Sequence, residues 1–134
     1  MDKLSLEKRS ALMRHVKGKN TTPELLVRRL LHKMGCRFRL HRHDLPGKPD
    51  IVLSKYRLCV FVNGCFWHQH PGCHRATIPT SNVDFWNAKL ARTKVRDKQN
   101  IAELTKMGWR VLVVWECETK NISQLGLKLA ILLR

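Results

Sequence analysis

Between Val60 and His74 the chain reads VFVNGCFWHQHPGCH, and these fifteen residues hold two cysteines, three histidines, a Phe-Trp pair and two glycines. Thiolates and neutral imidazoles are the ligand types that close a tetrahedral zinc site. Cys65, His70 and Cys73 lie within nine residues, and Cys117 follows a later apolar run. If the apolar runs at 58–62 and 109–115 pair as neighbouring strands, Cys117 comes to lie beside the loop that leaves the first of them. The spacing C-x4-H-x2-C is not that of a standard zinc finger, and it leaves His68, His70 and His74 all within reach as the imidazole ligand. The competing reading, reduced cysteines packed in a core, suits Cys36 and Cys59 in or beside strand-like runs. It suits Cys65 and Cys73 poorly, because Gly, Pro and His surround them.

A second kind of chemistry begins at Asp50. The stretch LPGKPDIVL sets this carboxylate after a Pro-containing turn and at the start of a strand. Metal-dependent nucleases use such a Pro-Asp hairpin to hold Mg²⁺, which polarises a phosphate and activates water. They carry an acid-x-lysine pair on the neighbouring strand, where this chain has Val60-Phe61-Val62. Pro-Asp by itself is an ordinary strand-start turn. His68, a few residues beyond that strand, is the group that can stand in as base or phosphate contact.

The chain has 134 residues, one domain's worth, with Lys+Arg 26 against Asp+Glu 10 and a formal charge of +16. The excess is spread from Lys3 to Arg134, which points to a polyanionic partner, since neutralised phosphates release counterions and drive binding. Apolar runs such as Val111 to Trp115 are far too short to span a membrane, and MDKLSLEKRS contains no apolar signal region. A cytoplasmic protein with reduced or metal-bound thiols is expected, because five cysteines, an odd number, do not make a disulfide framework.

The elements that must position these groups follow from pattern and caps. Residues 5–16 read as a first helix. Thr22 as N-cap, Pro23 at the first helical position and Glu24 in the first turn open a second helix, with Leu26, Leu30 and Met34 beside Leu25 on its apolar face and Gly35 ending it. RFRL alternates like an exposed strand, DIVL is a short strand, and LCVFV reads as a central strand buried on both faces. Asn82 caps a long helix reaching Met107, WRVLVVW is a second buried strand, and residues 122–132 form a closing amphipathic helix. The order α-α-β-β-β-α-β-α predicts an α/β fold, a mixed sheet flanked by helices. Trp109 and Trp115 read as core, and His41 and His43 as exposed loop residues or phosphate contacts.

The stretches KRSALMRHVKGKNTTPE, LPGKPDIVL, VFVNGCFWHQHPGC, DFW and KVRDKQNIAELTKMGWRVLVVWEC together resemble the very short patch repair (Vsr-type) mismatch endonucleases. The likeness runs over roughly residues 8–118 in the same order, and GCFWH combined with GWRVLVVWEC is its most specific part. It implies a restriction-endonuclease-like fold, a variant of the PD-(D/E)XK type, as a single domain over 1–134 with 1–20 as an N-terminal DNA-contacting segment. It implies an enzyme that nicks one strand 5′ to the thymine of a T·G mismatch left by 5-methylcytosine deamination, with catalytic Mg²⁺ and structural Zn²⁺. The substrate would be duplex DNA, the working form a monomer, and mismatch-repair proteins further partners.

Carried onto this chain, the resemblance makes Asp50 the Mg²⁺ ligand, with Val62 offering a backbone carbonyl, His68 the essential histidine and Glu24 a support of the metal's water shell. It makes Cys65, His70, Cys73 and Cys117 the zinc ligands, and Phe66, Trp67 and Trp86 the aromatics that wedge into DNA. Arg9, Met13, Arg14, Lys17 and Lys19 fall in the DNA-clasping N-terminal segment. Asn63 stands where the best-known members have a second active-site histidine; it can donate a hydrogen bond to phosphate but cannot shuttle a proton. PG before Cys73 lengthens the loop by one residue relative to some members. The competing readings are a nuclease of the same fold with another target and a zinc-stabilised DNA-binding module without catalysis, which the missing acid-x-lysine pair would favour.

Overall fold

The computed structural model describes residues 19–134; the expected helix over 5–16 and the roles expected of Arg9, Met13, Arg14 and Lys17 lie outside the described residues. Helix α1 spans Thr22–Lys33. Its N-cap is Thr21, whose hydroxyl accepts from the Glu24 N–H at 3.4 Å, so the helix opens one residue earlier than the sequence reading placed it. Pro23 still falls in the first turn, where a missing N–H leaves no bond unmade. The end is a Schellman turn: Cys36 N–H bonds Leu31 C=O at 3.0 Å, Gly35 N–H bonds His32 C=O at 2.9 Å, and Gly35 takes φ +78°.

The buried face of α1 is Glu24, Val27 and Leu31, not the expected stripe, and Leu25 and Met34 are both exposed. Apolar residues at 25, 26, 27, 30, 31 and 34 fit two adjacent stripes at helical spacing. The sheet selects the one that carries Glu24 inward. That rotation buries a carboxylate, and it has a functional consequence.

Strands β1 (Arg39–Leu40), β2 (Ile51–Leu53), β3 (Leu58–Asn63) and β4 (Arg110–Trp115) form one sheet in the order β1-β2-β3-β4. The first two pairings are antiparallel and β3–β4 is parallel. A parallel pair needs a long crossover, and helix α2 (Val83–Lys106) supplies it before helix α3 (Ile122–Leu132) closes the chain. Strand alternation splits the core in two. Ile51, Leu53, Leu58, Val60, Leu112 and Val114 pack on Val27 and Leu31 of α1 and on Leu125 and Leu129 of α3. Val52 and Cys59 face the other way, toward Leu45, Leu104 of α2 and Trp109.

The central strand β3 is buried on both faces as expected along Leu58–Val60. Strand β4 is not: of its residues only Leu112 and Val114 are buried, because β4 lies at the sheet edge. Asn82 sits at the start of α2 as expected but makes no side-chain cap bond and holds φ +51°. In the turn before Asp50, Gly47 has φ +75°, and a Cβ there would meet the Asn100 side chain at 2.8–2.9 Å. This glycine lets the loop press onto α2 and deliver Asp50 to the start of β2.

Candidate active site and metal-binding cluster

Asp50 arrives at the head of β2 opposite the end of β3, and its Oδ2 accepts the Val62 N–H at 2.7 Å. Glu24 reaches the same region from α1, only 2% exposed, and meets the Arg28 guanidinium one turn on. Nε2 of His41 lies 2.9 Å from Glu24 Oε2. Glu24, His41 and Asp50 each offer one ligand atom, and the three atoms lie within 4.8 Å of one another. Burial pushes the Asp50 carboxyl up to about 6; the nearby Glu24 charge adds to this, and the Val62 N–H opposes it. Facing carboxylates repel each other unless a cation lies between them, and the two carboxylates of this group suit a hard divalent ion.

That pressure has a measurable consequence for stability. With a folded-state value near 6 against 3.8 for the free side chain, the native state of the metal-free protein holds the Asp50 proton more tightly than the unfolded state does. Its contribution to stability is therefore full below pH 3.8 and is lost as pH rises through 6. Asp50→Asn should stabilise the protein by about 2–3 kcal/mol at pH 8 and by almost nothing at about pH 3. Urea melts of both proteins at the two pH values, without added divalent cation, check this; an equal gain at both would mean that ionisation is not the cause.

His68 follows β3 by five residues and points at α2, where its Nδ1 lies 2.6 Å from Asp97 Oδ2. An ionised carboxylate only accepts, so the bond fixes Nδ1 as the protonated nitrogen and leaves Nε2 for the substrate side. Asp97 was not singled out from the sequence: it is one acid in the basic run KVRDKQN, and its partner lies 29 positions away. Asn63 ends β3, is buried, and lines a narrow crevice with Phe61, Asp97, Asn100, Ile101 and Val113. His43 is exposed as expected, whereas His41 is not a free loop residue: its side chain is 18% exposed and held against Glu24.

The cysteines sort as the sequence separates them. Cys36 and Cys59 lie in the core, their thiols pushed up by burial, Cys59 to about 11. Cys65, His70, Cys73 and Cys117 instead bring four ligand atoms within 4.8 Å of one another. His70 Nδ1 is 3.8 Å from Cys65 Sγ and 3.4 Å from Cys117 Sγ. Tetrahedral bonds of about 2.0–2.3 Å give ligand–ligand edges of roughly 3.5–3.8 Å, so the cluster fits a single ion. Burial is the main cause that pushes Cys65 up to about 12; its thiolate needs a cation. Of the three candidate histidines, His68 is taken by Asp97, His74 is exposed and His70 joins the cysteines.

The surrounding packing holds that cluster in place. The His70 ring stacks on Trp115 at 4.2 Å and 12°. Glu116 accepts from the Cys65 N–H at 3.4 Å and lies 3.9 Å from Arg75. Beyond the cluster, Phe66, Trp67 and Trp86 form a triangle with ring centroids 5.2–5.8 Å apart. Trp86 is buried at its base, Phe66 and Trp67 are half-buried above it, and Phe85 beside Trp86 is exposed. Lys89 lies over the Trp67 ring, and Lys19 is exposed.

A mixed sheet flanked by helices, with acids gathered where β2 meets β3 and a His-Asp pair beyond, has the layout of a nuclease-like fold. The architecture matches the Homing Endonuclease I-Bth0305I Catalytic Domain with a TM-score of 0.58 and 24% identity, over 84% of this chain and 94% of that one. Residues 1–75 match the family model described as DNA mismatch endonuclease Vsr. The chain belongs to that family, and it is a DNA strand-nicking endonuclease. It is 51% identical over 128 residues to the Type II nicking enzyme V.XorIIP of Xanthomonas oryzae pv. oryzae, covering 96% of this chain and 93% of that enzyme. It is 38% identical over 117 residues to DNA mismatch endonuclease Vsr of Escherichia coli, covering 87% and 74%.

Proposed function

We propose that this enzyme nicks duplex DNA 5′ to the thymine of a T·G mismatch, using Mg²⁺ at Asp50 and the Val62 carbonyl and one structural Zn²⁺ held by Cys65, His70, Cys73 and Cys117. The observation that carries this is the convergence of Asp50, Glu24 and the His68–Asp97 pair around the end of β3. When bound, Mg²⁺ supplies charge neutralisation at the scissile phosphate and a more acidic water. Asp50 provides the anionic anchor, and Glu24 orients water around it. His68, its tautomer set by Asp97, takes the proton of the attacking water at Nε2. Asn63 donates to a phosphate oxygen and holds it in register without moving a proton. The +16 charge supplies affinity for the backbone, which positions DNA but does not read it.

Recognition falls to the aromatic triangle. A T·G wobble stacks less well than a Watson–Crick pair, so opening its step costs less. Unstacking costs a few kcal/mol, and each aromatic–base contact returns roughly 1–3 kcal/mol. A wedge of Phe66 and Trp67 is then close to balanced at a mismatch and unfavourable at matched DNA. Trp86, already buried, supports the wedge from below. Trp67→Ala should reduce the ratio of T·G to matched binding by at least about tenfold, with zinc content and melting temperature almost unchanged. Loss of zinc or folding, with normal discrimination in the folded remainder, would make Trp67 a packing residue instead.

The function is tested with a T·G duplex and its matched counterpart, each incubated with Mg²⁺ or EDTA. Nicking of the T·G duplex alone, and only with Mg²⁺, supports the reading. Equal nicking of both means another target on the same fold, and binding without nicking means a module that has lost catalysis.

A further inference from the structure

His41 has no part in the mechanism above, yet it stands opposite Asp50. The register pairs Arg39 with Val52 and Leu40 with Ile51, so His41 falls across from Asp50, and its N–H donates to the Asp50 carbonyl at 3.1 Å. Its backbone holds φ +48°, a left-handed conformation uncommon for a residue with a Cβ, though histidine is among those that adopt it more often. The turn carries the ring to α1, where Nε2 meets Glu24 Oε2 at 2.9 Å. The Arg28 guanidinium meets that same oxygen and is itself tied to Asn20 Oδ1 at 2.6 Å. Two donors from two elements thus fix one oxygen of a buried carboxylate. Among the described residues none bonds the other oxygen, which is left for a cation or its water.

We propose that His41 is a positioning residue of the cation site, its imidazole N–H holding Glu24 so that β1 as well as α1 sets the site's geometry. The inference rests on the reading of Asp50 as the cation's anchor. Groups that orient ligands from behind typically change metal affinity by 10–100-fold when removed. A donor at this position, rather than the ring as such, is what the geometry requires, so glutamine, with an N–H at similar reach, should replace histidine.

The test is calorimetric titration of Mn²⁺, as the probe for the hard-cation site, into zinc-loaded, DNA-free protein. His41→Ala should weaken Mn²⁺ binding roughly tenfold or more, with zinc content and melting temperature retained, and His41→Gln should restore most of the loss. If His41→Ala melts early, His41→Phe, which keeps a planar ring without an N–H, carries the same expectation. Unchanged affinity in the alanine or phenylalanine variant, or a glutamine variant as weak as alanine, would overturn the proposal. Asp50→Ala separates the two levels. If it binds Mn²⁺ like the wild type, the anchor reading fails; if it loses Mn²⁺ while His41→Ala does not, only the role of His41 falls.

Discussion

Asp50→Ala and His68→Ala proteins should bind a T·G duplex within about tenfold of the wild type and fail to nick it. Contacts of the 26 Lys and Arg residues with phosphates should supply most of the affinity, and neither Asp50 nor His68 is one of them. Removing a general base costs roughly 10²–10⁴ in rate, which sets the expectation for His68→Ala. Asp50→Ala should cost at least as much, because it removes the anionic anchor that Val62 N–H holds at 2.7 Å. Asn63→Ala should lose less than either if, as proposed, Asn63 only orients phosphate. Single-turnover nicking rates beside gel-shift affinities check all three. Wild-type nicking by Asp50→Ala would remove the assigned cation site.

Cys117→Ser should lower the melting temperature by roughly 10 °C or more and reduce bound zinc from about one per chain. Cys117 lies just past β4, whereas the other ligands lie in the loop after β3, so this thiolate ties the 65–73 loop to the neighbouring strand. Losing one ligand releases a share of the metal's binding energy, which in such sites is folding energy. Cys59→Ala is the control: its thiol is more deeply buried than that of Cys117 but belongs to the α2-side core, so zinc stoichiometry should stay at that of the wild type. Folded, active protein without zinc by elemental analysis would contradict the assignment.

Much of the scaffold was legible because apolar runs between turn residues leave little choice. The strands read at 50–53 and 58–62 are found at 51–53 and 58–63, and the closing helix has the bounds read from its pattern. The face of α1 was misread because two apolar stripes lie side by side in it, and only the sheet decides between them. The cysteine cluster was legible from composition, since Gly, Pro and His make a poor core. Its histidine was open to spacing and was named as His70 by the family resemblance; in the structure His68 meets Asp97, His74 is exposed and His70 lies with the cysteines. His41 and Asp97 were not legible at all. Each acts through a partner 17 or 29 positions away, one set by a strand register and the other by the packing of a helix that reads as a solvated basic surface.

The most direct measurement of the central claim is the position of the break. A duplex with one T·G pair, each strand end-labelled in turn, is incubated with zinc-loaded enzyme and Mg²⁺, and the products are resolved to the nucleotide. One break is expected, immediately 5′ to the mismatched thymine, with the guanine strand intact, no product from the matched duplex, and product at least about 10²-fold slower from the His68→Ala protein. Cleavage of both strands, breaks at the same rate in matched DNA, or a break elsewhere on the thymine strand would contradict it.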